Sequence, residues 1–362
     1  MKFRKRAAAV IGLAIIFTTL VGCSSNQKQK FSEKETKYYI AYSHVMNNGG
    51  EFCGIDEDGN FTSSNKIKLR DGSKIDFSGG KKIIGGSRAN TNLIVDGNGD
   101  YEEFYLLDSP DYSGVCAITM DGDRIIASMN CGYSNGVYIN DLVIQNPSGD
   151  VEVDQVIEIF ACDIICVNNT VYIVGFMDRS GENEVNTGKV ISYNLNSGEI
   201  KEQLYDAKKI IETVCTLNGK LYCAVRDMNG MTREIYVIDD ETLAREKTFE
   251  FGAEVEADGL LVYDNKLYGG IGGEFCSISP EDGSFVSKLC ALPQDSFITD
   301  TAAANGHIYI TTRFNNPNKE SAVFGTQIDY DLDLSNQTYT ETPIHMDFEK
   351  YSHFVVCPAT GK

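Results

Sequence analysis

The strongest constraint on the fold of this chain is an internal repeat. A short apolar segment, a two-residue turn of Asn, Asp or Gly, and a second apolar segment recur along the 362 residues. Asn-Gly and similar pairs favour the positive φ angles of a two-residue β-hairpin, so each copy predicts one hairpin. Six copies align, at VCTLNGKLYCAV (214–225), LLVYDNKLYGGI (260–271), IICVNNTVYIVG (164–175), CAITMDGDRIIAS (116–128), TAAANGHIYITT (301–312) and IDFSGGKKIIGG (75–86).

A second hairpin follows each of these copies. Its polar turns fall at 57–59, 146–149, 196–198, 239–241, 281–283 and 334–336. Each repeat therefore holds four strands in about 45 residues, which is typical of a β-propeller blade. In the copy that begins at 75, we expect residues 87–101 to form a loop and EEFYLLD (102–108) to be the third strand.

The two ends of the chain complete one repeat between them. FVVCPATGK (354–362) matches TVCTLNGK (213–220) and stops at the turn, and YYIAYS (38–43) resumes where the next strand would begin. Together with seven third-strand segments, this predicts an all-β, seven-bladed β-propeller closed by pairing of the C-terminal strand with the N-terminal blade. Six blades, eight blades or a pair of β-sandwiches remain alternatives. Residues 207–215 could also be helical, although the repeat favours a strand there.

The N-terminus has the layout of an export signal. Four basic residues lie within Met1–Arg6, and an apolar run at 7–20 leads to Leu20-Val21-Gly22-Cys23. These four residues resemble the lipobox of bacterial lipoproteins. The resemblance implies a signal peptide at 1–22 and a lipid on Cys23. The polar residues that follow Cys23 predict a flexible tether over 23–37, and the repeat predicts a single propeller domain at 38–362. The resemblance places the protein at the extracytoplasmic face of the cell membrane; an ordinary cleaved signal is the alternative.

Ten cysteines follow Cys23, and their spacing is diffuse. Export permits disulfides, but most of these cysteines lie inside apolar strand-like runs such as LYCAV (221–225), where they look like small buried hydrophobic residues. The pattern favours free buried thiols and leaves disulfides open. The formal charge of −20 argues against a nucleic-acid partner, which needs a basic face.

The spacing of NGKLYCAV and the following EIYVIDDETL resembles the YVTN and quinoprotein-like propeller families and, more loosely, the WD40-like superfamily. The resemblance covers residues 38–362 and implies architecture rather than an activity. The chain has no Trp and no vicinal cysteine pair, so it departs from the quinone-dependent dehydrogenases of that group.

One loop carries a possible metal pattern. Asp96, Asn98 and Asp100 place oxygen side chains at alternate positions beside two glycines, with Glu103 nearby, and such oxygens can converge on Ca²⁺. The loop is similar to the calcium loops of integrin-type propeller repeats. The alternative is a solvated polar turn, and apart from calcium we expect no cofactor.

Two functions remain open at this level. No Gly-x-Ser-x-Gly, P-loop or His-Glu-x-x-His motif is present, which favours a binding or scaffold module for a protein or glycan partner. The alternative is a hydrolase or lactonase-like enzyme that uses carboxylates at the mouth of the channel, with or without calcium. Inward-facing acids with raised pKa values would favour the enzyme.

Overall fold

The computed structural model describes residues 31, 36–44, 49–108, 113–179, 185–294, 296–314, 327–344 and 353–360. This part of the chain is all-β and forms seven four-stranded antiparallel sheets, the blades of a β-propeller, around a central channel. The predicted signal peptide and Cys23 lie outside the described residues. In the described ranges, no helix is long and apolar enough to cross a membrane.

The blades are numbered along the chain, and the strands of each are given from the channel outwards. Blade 1 contains β28 (His353–Pro358), β1 (Tyr38–Ser43), β2 (Gly50–Ile55) and β3 (Phe61–Ile67). Blade 2 contains β4 (Gly72–Ser78), β5 (Lys81–Gly86), β6 (Asn92–Asp96) and β7 (Tyr101–Phe104). Blade 3 contains β8 (Val115–Asp121), β9 (Arg124–Ser134), β10 (Val137–Gln145) and β11 (Val151–Ile157). Blade 4 contains β12 (Phe160–Val167), β13 (Thr170–Met177), β14 (Thr187–Asn194) and β15 (Ile200–Ala207).

The remaining three blades follow the same order. Blade 5 contains β16 (Lys209–Leu217), β17 (Lys220–Asp227), β18 (Thr232–Asp239) and β19 (Arg245–Glu250). Blade 6 contains β20 (Val255–Tyr263), β21 (Lys266–Ile271), β22 (Glu274–Ile278) and β23 (Phe285–Ala291). Blade 7 contains β24 (Ser296–Ala304), β25 (His307–Phe314), β26 (Gln327–Asp333) and β27 (Thr338–Ile344).

The ring closes as the sequence predicted. Strand β28 pairs with β1 in a continuous antiparallel register that runs from Tyr38 opposite Pro358 to Ser43 opposite His353. The C-terminal strand thus supplies the innermost strand of the N-terminal blade. Closure pairs the inner edge that β1 would otherwise expose, and exposed edges are sites of aggregation.

The sequence prediction for blade 2 was wrong in its outer half. Residues 92–96 form the third strand, β6, and EEF belongs to the fourth strand, β7, which is followed by a 3₁₀ turn at Leu106–Asp108. The turn 97–100 therefore joins the third and fourth strands and is the blade 2 member of the second set of hairpin turns. In contrast, residues 207–215 are extended, as the repeat predicted, with Lys208 at positive φ between β15 and β16.

The core lies between the blades rather than at the centre of the ring. Strand β17 shows why, because its side chains alternate between the two neighbouring blades. Leu221 and Cys223 pack into the cluster shared with blade 4, and Tyr222 and Ala224 pack into the cluster shared with blade 6. Both faces of a middle strand are buried, so its sequence reads as a continuous apolar run instead of an alternating one.

The tyrosine that recurs in the second strand joins neighbouring blades. Its hydroxyl donates to a carbonyl in the outer turn of the next blade, from Tyr39 to Asn98 (2.7 Å), from Tyr172 to Asp240 (3.2 Å) and from Tyr222 to Pro280 (3.3 Å). The ring fills the apolar interface while the hydroxyl finds a polar partner at its rim. The Tyr of the LYCAV-type motif is therefore an inter-blade contact.

The seam around blade 1 contains a buried ion pair. Lys82 is the second residue of β5, the second strand of its blade. The residues at the same position in five other blades are all apolar and buried: Ile125, Val171, Leu221, Leu267 and Ile308. The Lys82 side chain is 1% exposed, and its ammonium contacts Asp300 of blade 7. This pair links the blades on either side of blade 1. Phe31 also packs edge-on against Tyr39 and Phe52, with ring centroids 5.5 and 5.4 Å apart.

Candidate functional site

The innermost strands share an irregularity at one level of the channel. In five of them a single residue has no partner on the second strand, which makes a β-bulge. In β16, for example, Ile211 pairs with Val225 and Thr213 with Ala224, so Glu212 is the extra residue. The extra residues are Ser73, Cys116, Cys162, Glu212 and Thr299.

Blade 6 carries a larger bulge at the same level. Glu256 pairs with Gly270 and Leu261 pairs with Tyr268, so four residues of β20 (257–260) oppose one residue of β21. The chain approaches itself closely here, because a Cβ on Gly259 would lie 3.0 Å from the Gly270 nitrogen. Only glycine fits such an approach without displacing backbone. The extra length places Asp258 on the channel wall.

The channel encloses a cavity of about 660 Å³. Its wall is built from six of the seven innermost strands, β4, β8, β12, β16, β20 and β24. The lining runs from the bulges to residues such as Ser78, Val167 and Tyr263, which immediately precede the turns to the second strands. The cavity therefore lies on the side of the channel where these turns are, away from the loops between the second and third strands.

Most carboxyl groups on this wall have protein partners. Asp163 accepts hydrogen bonds from the Thr213 hydroxyl at 2.7 Å and from the Val214 amide at 2.9 Å. Asp76 accepts from the Thr119 hydroxyl at 2.6 Å. Two more are paired with cations: Glu212 with Arg226 at 2.5 Å, and Asp300 with Lys82. These four carboxyls help to hold neighbouring blades and strands together.

Asp258 differs from them. Its carboxyl is exposed to the cavity and makes no hydrogen bond or ion pair with the described part of the chain. Burial within the ring raises its pKa to about 7, and the negative charges of Asp300, Asp163 and Glu212 raise it further in the same direction. Asp258 is thus the wall carboxyl that is available to a ligand.

Two other acids on the innermost strands, Asp76 on the cavity wall and Glu256 on β20, also have raised pKa values. Burial raises the pKa of Asp76 to about 6, with Asp163 contributing repulsion. Burial and the nearby Glu254 raise the pKa of Glu256, at the start of the blade 6 bulge, to about 7. Lys74 is the one basic residue among the described residues that line the cavity. The wall therefore carries an excess of carboxyl groups, which favours a ligand that is cationic or rich in hydrogen-bond donors.

The thiols on the wall are poor candidates for chemistry. Cys162, Cys166 and Cys215 line the cavity, and burial raises the pKa of both Cys162 and Cys166 to about 12. A thiol with a raised pKa stays protonated and is a weak nucleophile and metal ligand. All ten cysteines in the described ranges are free thiols, and Cys131 is exposed.

The predicted calcium residues lie far out on blade 2, in the turn between β6 and β7. Oδ1 of Asp96 accepts the backbone N–H groups of Asn98 at 2.9 Å and Asp100 at 3.0 Å. Asp56 makes the same pair of bonds to Asp58 and Asn60 in blade 1. These bonds give Asp96 a structural role in a turn that recurs, and calcium binding there stays a prediction. Across the described ranges, no group of three or more His, Cys, Asp or Glu side chains is arranged to hold a metal ion.

Sequence reasoning missed the channel residues, although one signal was present. The segment EADGLL (256–261) replaces the shorter inner-strand pattern of the other copies and adds an acid and a glycine. A repeat that lengthens by two or three residues in one copy indicates a local bulge, and bulges often re-aim a side chain beside a site.

Comparisons with known proteins support the fold. No protein-family model and no curated protein sequence matches the chain. Among solved structures, a streptogramin B lyase superposes with a TM-score of 0.54 at 14% identity, covering 90% of this chain and 96% of the other. Virginiamycin B lyase from Staphylococcus aureus gives 0.53 at 14% identity, with 90% and 97% covered. The Synechocystis apocarotenoid oxygenase gives 0.55 at 8% identity, with 91% and 94% covered. At these identities, the likeness shows the β-propeller fold alone.

Proposed function

We propose that this chain is a lipid-anchored binding protein of the extracytoplasmic membrane face, whose propeller takes a cationic group of a protein or glycan partner into its central channel. The observation that carries the proposal is Asp258: an irregular bulge places its carboxyl in a cavity of about 660 Å³ with no partner from the described chain. The adjacent paired carboxyls add negative charge without competing for the ligand. The excess of acid also agrees with the exclusion of nucleic acid.

The anchoring part of the proposal rests on the sequence Leu20-Val21-Gly22-Cys23. Two acyl chains hold a protein stably on a membrane, whereas one does so only reversibly. We expect Cys23→Ser to move the protein from the membrane fraction to the soluble fraction. Cys131→Ser, at an exposed thiol of the propeller, is the matched control and should stay with the membrane. A Cys23→Ser protein that still sediments entirely with membranes would contradict the anchor.

The binding part is tested at Asp258. The bound fraction of partner recovered from intact cells after cross-linking should fall at least tenfold in Asp258→Asn, because the substitution removes the charge while keeping the shape. Asp282→Asn changes an exposed turn carboxyl on the outside of the same blade and should have no effect. Equal recovery from both variants would count against the channel as the binding site.

A second function, a hydrolase or lactonase-like enzyme, is favoured by one observation. Asp76 and Asp258 share one cavity, and their pKa values of about 6 and about 7 suit general acid–base chemistry near neutral pH. Turnover of a substrate by the wild type, and its loss in Asp258→Asn, would support an enzymatic function. Stoichiometric binding without turnover supports the binding protein instead.

A further inference from the structure

Lys74 on the channel wall is an exception among the shielded lysines of the described chain. Six other lysines there are buried or half-buried, and each contacts a carboxylate or a hydroxyl group. Lys82 contacts Asp300, and the Lys209 ammonium lies 2.6 Å from Glu234. The other four are Lys37, Lys81, Lys189 and Lys220. The ammonium of Lys74, which is half-buried, makes no hydrogen bond or ion pair with the described residues.

Strand register places Lys74 at the level of the β-bulges. It is the first residue after the extra residue of β4, and it pairs with Gly85. The residue at the same position is Asp163 in blade 4 and Asp300 in blade 7, and both carboxyls line the cavity. The blade 6 bulge that contains Asp258 lies at this level too. Lys74 and Asp258 therefore line the same section of the cavity, from blades that are not neighbours in the ring.

Lys74 and Asp258 influence each other without forming a pair. Burial raises the pKa values of Asp258 and Asp163, and the positive charge of Lys74 acts in the opposite direction on both. Asp163 already accepts hydrogen bonds from Thr213 and Val214, whereas Asp258 accepts none from the described chain. An enclosed charge without a partner is costly, so a ligand that supplies the missing partners gains from both groups.

A ligand with a single charge cannot satisfy both groups. A cation that pairs with Asp258 is repelled by the Lys74 ammonium, and an anion that pairs with Lys74 is repelled by the surrounding carboxylates. A ligand that carries an ammonium and a carboxylate avoids both repulsions. The cavity volume of about 660 Å³ lies within the range of ligand-binding pockets.

We propose that the channel ligand carries both an ammonium and a carboxylate, as the C-terminal lysine of a protein partner does. The inference rests on the proposed function and adds a second contact to it. The side-chain ammonium donates to the Asp258 carboxylate, and the terminal carboxylate accepts from the Lys74 ammonium. An enclosed channel admits the end of a chain without unfolding the partner, and the flexible side chain lets the two charges adjust to the width of the channel.

The test compares three probes by calorimetry on the full-length protein in detergent. A pH of about 8 keeps Asp258 ionised and lysine ammonium groups charged. Nα-acetyl-lysine carries both charges, Nα-acetyl-lysine amide carries only the ammonium, and Nα-acetyl-norleucine carries only the carboxylate. We expect Nα-acetyl-lysine to bind about tenfold more tightly than the amide, as for one added charge-assisted contact. Nα-acetyl-norleucine should bind most weakly because the wall is acidic.

Variants of Lys74 show whether the preference for the free carboxylate arises there. Lys74→Met removes the ammonium but keeps an unbranched side chain, so the preference should disappear while the amide still binds. Lys74→Arg keeps the positive charge and should keep the preference. Lys81→Met is the matched control in the same blade, because Lys81 pairs with Asp123 and lies outside the cavity lining; it should leave the affinities for all three probes unchanged.

The outcomes separate this inference from the proposed function. Equal affinities of the wild type for Nα-acetyl-lysine and its amide would overturn the role of Lys74 while leaving cation binding in the channel intact. A preference that persists in folded Lys74→Met would do the same. If no probe binds, or if Asp258→Asn binds the amide as tightly as the wild type does, the proposed function fails and the inference fails with it.

A further probe identifies the source of the two charges. Acetyl-Lys-Glu-amide carries its carboxylate on a neighbouring side chain and has no free chain end. Weaker binding of this peptide than of Nα-acetyl-lysine supports a C-terminal lysine. Tighter binding would assign the two charges to an internal segment of the partner and overturn the chain end.

Discussion

At the scale of single residues, Asp258 combines an unpartnered carboxyl with a cost to stability. A carboxyl whose pKa is about 7 in the folded protein keeps a proton that the unfolded chain releases near pH 4. The free energy of unfolding therefore falls as pH rises between those two values and stays lower above them. Residues that serve a ligand often carry such a cost.

The consequence is measurable by thermal unfolding of Asp258→Asn. The neutral amide removes repulsion from Asp300, Asp163 and Glu212, so we expect a higher melting temperature than wild type at about pH 8. At about pH 4 the wild-type carboxyl is protonated, and the difference should vanish. A melting temperature that is lowered at both pH values would mean that the Asp258 carboxyl has a stabilising partner.

The identity of this residue could not be read from the sequence. The chain contains 52 Asp and Glu residues, and their types do not indicate which of them face the channel. The spacing of oxygen side chains that begins at Asp96 predicted a calcium site. The Asp96 carboxylate, however, accepts backbone N–H groups in a turn that other blades share. Burial and the partners of each oxygen decide between these acids, and both depend on tertiary structure.

At the scale of strands and turns, the local sequence pattern predicted the hairpins because a two-residue hairpin turn requires residues that adopt positive φ angles. Asn218 and Gly219 both have positive φ, as the two-residue hairpin requires, and the same holds for Asn168 and Asn169. Blade 2 was misassigned because β6 has only five residues and its following turn resembles a functional loop. Short strands carry too few residues for an alternating pattern to stand out.

The inter-blade tyrosine bond gives an element-scale prediction. Tyr222→Phe leaves the ring in place but leaves the Pro280 carbonyl without this donor, which should cost about 1 kcal/mol of stability. Tyr193→Phe is the control, since the Tyr193 ring is buried and its hydroxyl makes no hydrogen bond to the described part of the chain. Chemical denaturation of both variants measures the difference in their free energies of unfolding. Equal free energies would show that the tyrosine hydrogen bond does not stabilise the packing of the blades.

At the scale of the whole molecule, the split repeat allowed ring closure to be predicted. The match of 354–362 to 213–220 needed only local sequence, and β28 pairs with β1 at the register that the match implies. The Lys82–Asp300 pair across blade 1 could not be predicted, because its partners lie 218 residues apart and on different repeat positions.

That ion pair yields a prediction for the closed ring. Lys82→Ile alone, which introduces the side chain found at this position in blades 3 and 7, should destabilise the protein by about 3 kcal/mol because Asp300 loses its cation in a buried site. The double variant Lys82→Ile/Asp300→Ala should recover most of that loss. If the double variant is as unstable as the sum of the two single variants, the pair contributes no coupling across the seam.

Removal of the C-terminal strand tests closure itself. Deletion of 353–362 strips β28 from blade 1 and leaves the inner edge of β1 unpaired, so we expect a large drop in melting temperature and a tendency to aggregate. Deletion of 361–362 leaves β28 intact and serves as the control. Unchanged melting of the longer truncation would show that the ring does not depend on this strand.

The most direct test of the channel as the binding site is position-specific photo-cross-linking in intact cells. A photoreactive amino acid replaces Val262 on the channel wall or Val286, which is 68% exposed on the outermost strand of the same blade. We expect one discrete cross-linked partner from position 262, its loss when Asp258→Asn is added, and no such product from position 286. The same partner captured from 286 but not from 262 would place binding on the outer surface and contradict the channel site.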